Sequence, residues 1–142
     1  MKRILVALDG SPLAPTVLSA AARMAQLADA RLVLLRAISV PADMPREVLN
    51  LMDRSLEDVL VGNAHAELER FAAGLPAGIV ERIVTPFATA WDGICRTARE
   101  LDADLIVIGS HGYGGMDRVL GTTAAKVVNH ADRNVLVVRT LL

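Results

Sequence analysis

Aromatic residues make up only 3% of this 142-residue chain, and it holds a single cysteine, Cys95. With so few rings, a core within the 53% hydrophobic content must be built from Ala, Val, Leu and Ile. Such a composition suits buried parallel strands and close helix packing. One cysteine excludes a disulfide framework within the chain. Fifteen Lys and Arg against sixteen Asp and Glu leave a net charge of −1, which argues against a nucleic-acid or membrane surface. No apolar run reaches membrane-spanning length. The opening MKRILVALDG is interrupted by Asp9 after five apolar residues, so no export signal is expected and the cytoplasm is the expected location. At this length one domain, 1–142, is the economical reading.

What is present is alternation. Residues 3–8, 31–38, 105–109 and 134–139 are apolar on both faces and read as buried strands, while 79–85 is mixed and suits an edge. Between them lie helical patterns. Ser11 is the expected N-cap of the first, with Pro12 as its opening residue. Leu13, Val17, Ala21, Met24 and Ala28 then recur at helical spacing. A longer helix is expected from Arg46 to Phe71, with Leu49, Met52, Leu56, Leu60 and Leu68 on its inner face, after a loop at 41–45. Thr89 is the expected cap of a third helix, and a fourth runs from Thr122 to about His130. The order β-α-β-α-β-α-β-α-β predicts a parallel sheet with helices on both faces. In such sheets ligands bind beyond the carboxyl ends of the strands.

One of those ends carries GSHGYGGMDRVLGTT, residues 109–123. It is longer than an ordinary strand-to-helix connection. No G-x-G-x-x-G follows the first strand, and Thr122 stands where a Walker A lysine would follow Gly121. A phosphate-receiver role for Asp9 would need a second acid beside it and a lysine after the last strand. What remains is an anion nest, with Gly109, Gly112, Gly114 and Gly115 freeing backbone N–H groups. Gly121, Thr122 and Thr123 then open a helix whose N-terminus favours negative charge. Arg118 is the fixed positive side chain in the loop, and a bound polyphosphate would call for a divalent cation. The alternative is a set of tight turns with Thr122 or Thr123 as an ordinary cap. Asp9 closes the first strand, either to accept ribose hydroxyls or to form an Asx turn into Ser11; the two roles are compatible.

At these residues the chain resembles the universal stress protein family, through ILVALDGS, VLLRAIS, ADLIVIGSHG, LGTTAAKVV and NVLVVR. The likeness spans essentially the whole chain. The family's nucleotide-binding signature is G-x2-G-x9-G-[S/T]; here Gly109 and Gly112 supply the first pair, and Gly121 and Thr122 the last. Eight residues, 113–120, separate the halves, one fewer than in that signature. The resemblance implies a flavodoxin-like α/β sheet of order 3-2-1-4-5, with ATP as ligand. It implies that Ala7 and Leu8 contact adenine, that Ala37 walls the base and that Asp9 holds the ribose. Gly109, Ser110, His111, Gly112, Tyr113, Gly114 and Gly115, with Gly121, Thr122, Thr123 and Ala124, would take the phosphates, with Mg²⁺ or Mn²⁺ through them. It also implies a homodimer through strand 134–139, and the apolar faces of that strand agree, since an uncovered edge invites pairing.

Other candidates carry less chemistry. Cys95 and Trp91 fall on the inner face of the third helix and read as packing. The three histidines share no metal-ligand spacing. His65 suits solvent and His130 a helix C-terminus, while His111 lies within the glycine loop. The charged residues at 67–70 and 96–100 read as solvated faces. No catalytic residue is expected. The leading expectation is an ATP-binding regulatory protein with little or no turnover. The alternatives are slow hydrolysis with Asp9 or His111 positioning water, and a nucleotide-independent dimeric interaction module.

Overall fold

The computed structural model describes residues 1–39, 54–110 and 120–139. In chain order the elements are β1 (Arg3–Ala7), α1 (Ala14–Ala28), β2 (Arg31–Leu35), α2 (Arg54–Ala73), β3 (Val80–Val84), α3 (Ala90–Glu100), β4 (Leu105–Gly109), α4 (Thr122–His130) and β5 (Asn134–Val138). All pairings are parallel, and the sheet order is β3-β2-β1-β4-β5. This is the order implied by the resemblance.

Alternation along each strand divides the interior into two cores. Ile4, Val6 and Leu8 join Leu32, Leu34, Leu105 and Val107 beneath α1 and Leu68 of α2. Leu5, Val33, Leu35, Ile106 and Ile108 face the other way, against Ile94, Cys95 and Ala98 of α3 and Ala124 and Val127 of α4. The interiors of β1, β2 and β4 are apolar because neither face of the central strands meets water, while edge strand β3 keeps Glu81 and Arg82 exposed. Even β5 follows the rule, with Leu136 and Val138 on one core and Val135 and Val137 on the other.

Several boundaries differ from the sequence expectation. The regular β2 ladder stops at Leu35, yet pairing continues: Arg36 N–H donates to Val84 O at 3.1 Å and Ile38 N–H to Pro86 O at 2.9 Å. Ser11 is not the N-cap of α1; that position is Leu13, with Pro15 in the first turn. The cause is the preceding turn. Ser11 N–H donates to Asp9 Oδ1 at 2.9 Å, and Ser11 Oγ accepts from Leu13 N–H at 3.3 Å. These bonds hold Ser11 in an Asx turn ahead of the helix. Thr89 is the N-cap of α3, though its side chain makes no capping bond. In α2, Leu68 is fully buried but Leu56 is 41% exposed, so the inner face is narrower than the periodicity suggested. Leu49, Met52 and the 41–45 loop lie outside the described residues.

The amino ends of the strands are held by charge. Both Asp104 contacts run to backbone: Oδ2 accepts from Lys2 N–H at 2.6 Å and from Arg3 N–H at 2.9 Å. Arg3 spans β2 to reach Glu81, with Nε and Nη2 each 2.7 Å from a carboxylate oxygen, and Nη1 donates to Leu101 O. The hydrogen bond from Arg3 holds the Glu81 carboxyl below its usual range, and the Lys2 and Arg3 amides do the same for Asp104. On the other side, Arg133 Nη1 donates to Ala98 O at 2.8 Å and Ala103 O at 2.9 Å, tying the end of α3 to the approach of β5. Among the described residues no helix is long and apolar enough to cross a membrane.

Because both carboxyls ionise more readily folded than unfolded, their contribution is complete above the ordinary carboxylate range. It is lost as pH falls through their lowered folded values. Asp104→Asn should cost about 1 kcal/mol at neutral pH, a charge-assisted bond discounted for exposure. Urea melts between about pH 7 and pH 3 should show a smaller acid loss in this variant than in the wild type.

Candidate functional site

Between β1 and β4 the chain order of the sheet reverses, so the connections after these two strands leave toward opposite faces. That divergence opens a crevice beyond their carboxyl ends. It is lined by Ala7, Leu8 and Asp9 after β1, Leu35 and Ala37 after β2, Ala90 and Ile94 of α3, Ile108 and Gly109 of β4, and Thr123 and Ala124 of α4. Its volume is about 100 Å³, below the roughly 300 Å³ from which drug-sized pockets start. The floor is apolar. Leu8 belongs by side chain to the opposite core, so it meets the crevice through its backbone.

Asp9 is the titratable group among the described lining residues. Its Oδ1 is engaged by the Ser11 amide, and Oδ2 has no partner among the described residues. The Asx turn thus fixes the carboxylate at the rim of the crevice. Across the crevice stands the start of α4. Gly121 is its N-cap, in extended conformation at φ −61°, ψ 162°, with no side-chain capping bond. Thr122 and Thr123 therefore occupy the first helical positions and are not caps. The amides of Thr122, Thr123 and Ala124 precede the first intrahelical bond, Ala125 N–H to Gly121 O at 2.9 Å, and are donors without a helical acceptor.

Two glycine-loop residues do other work. Gly109 is the last residue of β4, and a Cβ there would lie 3.0 Å from Leu13 Cδ2 and 3.1 Å from Val17 Cγ2. Its missing side chain lets α1 close on the sheet. Ser110 is used on both sides of its peptide: its N–H donates to Val138 O at 2.9 Å, and its C=O accepts from Gly121 N–H at 3.4 Å. The amides of Ser110 and Gly121 are thus engaged within the chain, which shortens the expected set of free donors. His111, Gly112, Tyr113, Gly114, Gly115 and Arg118 lie outside the described residues.

Sequence reasoning overlooked Leu35, Ile94 and Ile108, ordinary core residues until the fold places their outer ends at the crevice, and Ala90, the first residue of α3. It also read Glu67 as solvated. Glu67 pairs with Arg36, whose guanidinium passes beside Gly10 at the rim. Trp91 packs as expected, its ring 4.6 Å from that of His130 and 5.8 Å from Lys126 Nζ. His130 Nδ1 lies 2.8 Å from Lys126 O at the end of α4. His65 pairs with Glu69 on the surface. Cys95 is buried, and burial pushes its thiol up. Among the described residues no group of three or more His, Cys, Asp or Glu is placed to hold a metal ion.

These features define a doubly wound α/β domain with a crevice at the reversal of strand order. The chain belongs to the universal stress protein family, whose model matches residues 1–139. It is 30% identical over 138 residues to universal stress protein A homolog 1 of Coxiella burnetii, covering 96% of this chain and 95% of that protein. Among solved structures it is similar to the universal stress protein UspA from Lactobacillus plantarum, at 27% identity, TM-score 0.75 and 97% coverage of both chains. A universal stress protein solved in complex with cAMP shares the fold at TM-score 0.64 and 23% identity, covering 99% of this chain and 98% of that one.

Gly109→Ala should destabilise the fold by about 1–3 kcal/mol through overpacking against Leu13 and Val17. Denaturant midpoints measured without any ligand would check this, and Leu13→Ala in the same chain should recover part of the loss.

Proposed function

We propose that this chain is an adenine-nucleotide-binding regulatory protein that takes ATP in the crevice and turns it over little or not at all. The observation that carries the reading is an apolar crevice with opposite chemistry on its two rims. One rim has a carboxylate oxygen held out by the Asx turn of Asp9; the other has the uncapped start of α4. A purine is flat and apolar on its faces, and suits the floor of Ala7, Ala37 and Ile94. Ribose hydroxyls donate to a carboxylate oxygen, and phosphates accept from helix N-terminal amides. A volume of about 100 Å³ suits a base more than a whole nucleotide, so the phosphates would extend toward Thr122, Thr123 and the glycine loop from His111 to Gly115. Magnesium or manganese would bind through those phosphates. That group would supply charge neutralisation, while the chain's own residues bind and orient the nucleotide.

Low turnover is supported by the rim itself. Asp9 is oriented by the Ser11 amide, and no second titratable side chain stands beside it among the described lining residues to act as a general base. The fold is one that holds cAMP in a solved relative. Assembly as a homodimer through β5 belongs to the same reading: the strand ends the sheet order and is apolar toward both cores, and an edge of that kind favours a paired partner.

Titration calorimetry with ATP and Mg²⁺ should give saturable binding, and Asp9→Ala should weaken it about tenfold, the loss of a charge-assisted hydrogen bond. No heat at millimolar nucleotide would refute the reading. Sedimentation of the wild type should give a dimer, and Val137→Glu should shift it toward monomer.

A further inference from the structure

Gly93 sits in the interior of α3, where glycine is a poor helix former. Its position explains the choice. A Cβ at residue 93 would lie 3.3 Å from Pro86 Cγ, 3.5 Å from Ala88 Cβ and 3.7 Å from Ala37 Cβ. Three elements therefore converge on the space that glycine leaves: α3, the continuation of β2 at Ala37, and the Pro86–Ala88 connection entering α3. That connection is itself fixed by hydrogen bonds from Ile38 N–H to Pro86 O at 2.9 Å and from Ala88 N–H to Ile38 O at 2.8 Å. Gly93 N–H in turn bonds Thr89 O at 2.8 Å, so the first turn of the helix is formed where it meets the sheet extension.

Ala37 lines the crevice from one side, and Ala90 and Ile94, flanking Gly93 on the same helix, line it from the other. The spacing between these walls is the seating depth of α3 on Ala37 and Pro86. We infer that Gly93 is a positioning residue that sets the width of the crevice's apolar end, and so selects for a flat ring of fixed thickness. The inference rests on the proposed nucleotide site and goes beyond it by assigning its ring selectivity to a residue that does not line it. A methyl group at 93 would meet Pro86 Cγ tightly and the two alanines at ordinary contact. The relief open to α3 is an outward shift, which separates Ala90 and Ile94 from Ala37 and loosens the grip on a ring.

The test is ATP affinity for the wild type, Gly93→Ala, Pro86→Ala and the double variant, each with a thermal melt. Gly93→Ala should bind ATP about tenfold more weakly, at the low end of small-to-large overpacking. The double variant, lacking the Pro86 Cγ that crowds the new methyl, should recover to within about twofold of Pro86→Ala alone. A purely structural role would lower the melting temperature of Gly93→Ala without a loss of affinity that Pro86→Ala repairs. Unchanged ATP affinity in Gly93→Ala, or a loss that the double variant retains in full, would overturn the inference while leaving the nucleotide reading intact. A wild-type chain that binds no ATP would remove the nucleotide reading and the inference with it.

Discussion

The structure depends on the pairing of β1 with β4 in parallel, Ile4 opposite Leu105 and Val6 opposite Val107. β1 also pairs with β2 on its other side, so the central strand of the sheet has both edges filled. A parallel crossover needs a helix to return the chain, and the handedness of such crossovers is fixed. Building outward from β1 in two directions therefore puts α1 and α2 on one face and α3 and α4 on the other. The two cores, the burial of both strand faces and the gap between the departing connections all follow from that arrangement. The crevice is a by-product of topology before it is a set of side chains.

Chemistry is then added at the rims by backbone devices more than by ionisable groups. An Asx turn presents Asp9, a glycine N-cap leaves the α4 amides without a capping side chain, and main-chain bonds extend β2 past its regular ladder. Such devices cost little sequence and are rigid, because each is held by the same hydrogen bonds that end a strand or begin a helix. The opposite end of the sheet is built differently. There Arg3, Glu81 and Asp104 close the strand ends through charge-assisted bonds. One end of the sheet is pinned by ions and the other is shaped by turns.

Much of the fold was legible because a parallel sheet covered on both faces needs uninterrupted apolar strands, and LIVI or LVLL cannot serve half-exposed. The limits of α4 and β4 were legible from Gly121 and Gly109 as punctuation. What escaped was relational. Arg36 and Glu67, or Arg3 and Glu81, are far apart in sequence, and nothing local marks them as partners. Ser11 has every mark of an N-cap, but Asp9 two residues earlier takes its amide first and delays the helix. In the sequence Gly109 reads only as part of an anion nest, and its neighbours add a close approach of α1 that no local pattern marks. Gly93 drew no notice, since a lone helical glycine has meaning only once Pro86 and Ala37 stand beside it.

The bond from Gly121 N–H to Ser110 O joins the two ends of a ten-residue segment, 111–120, so that its feet are held by the scaffold. Chain-closure entropy grows only with the logarithm of length. Closing ten residues instead of eleven differs by about 0.1 kcal/mol. In closure entropy alone, one residue more or fewer between Ser110 and Gly121 is worth almost nothing to the domain. That term is therefore nearly indifferent to the count of residues between Gly112 and Gly121, while the pair of residues at its base stays where the sheet and helix put it.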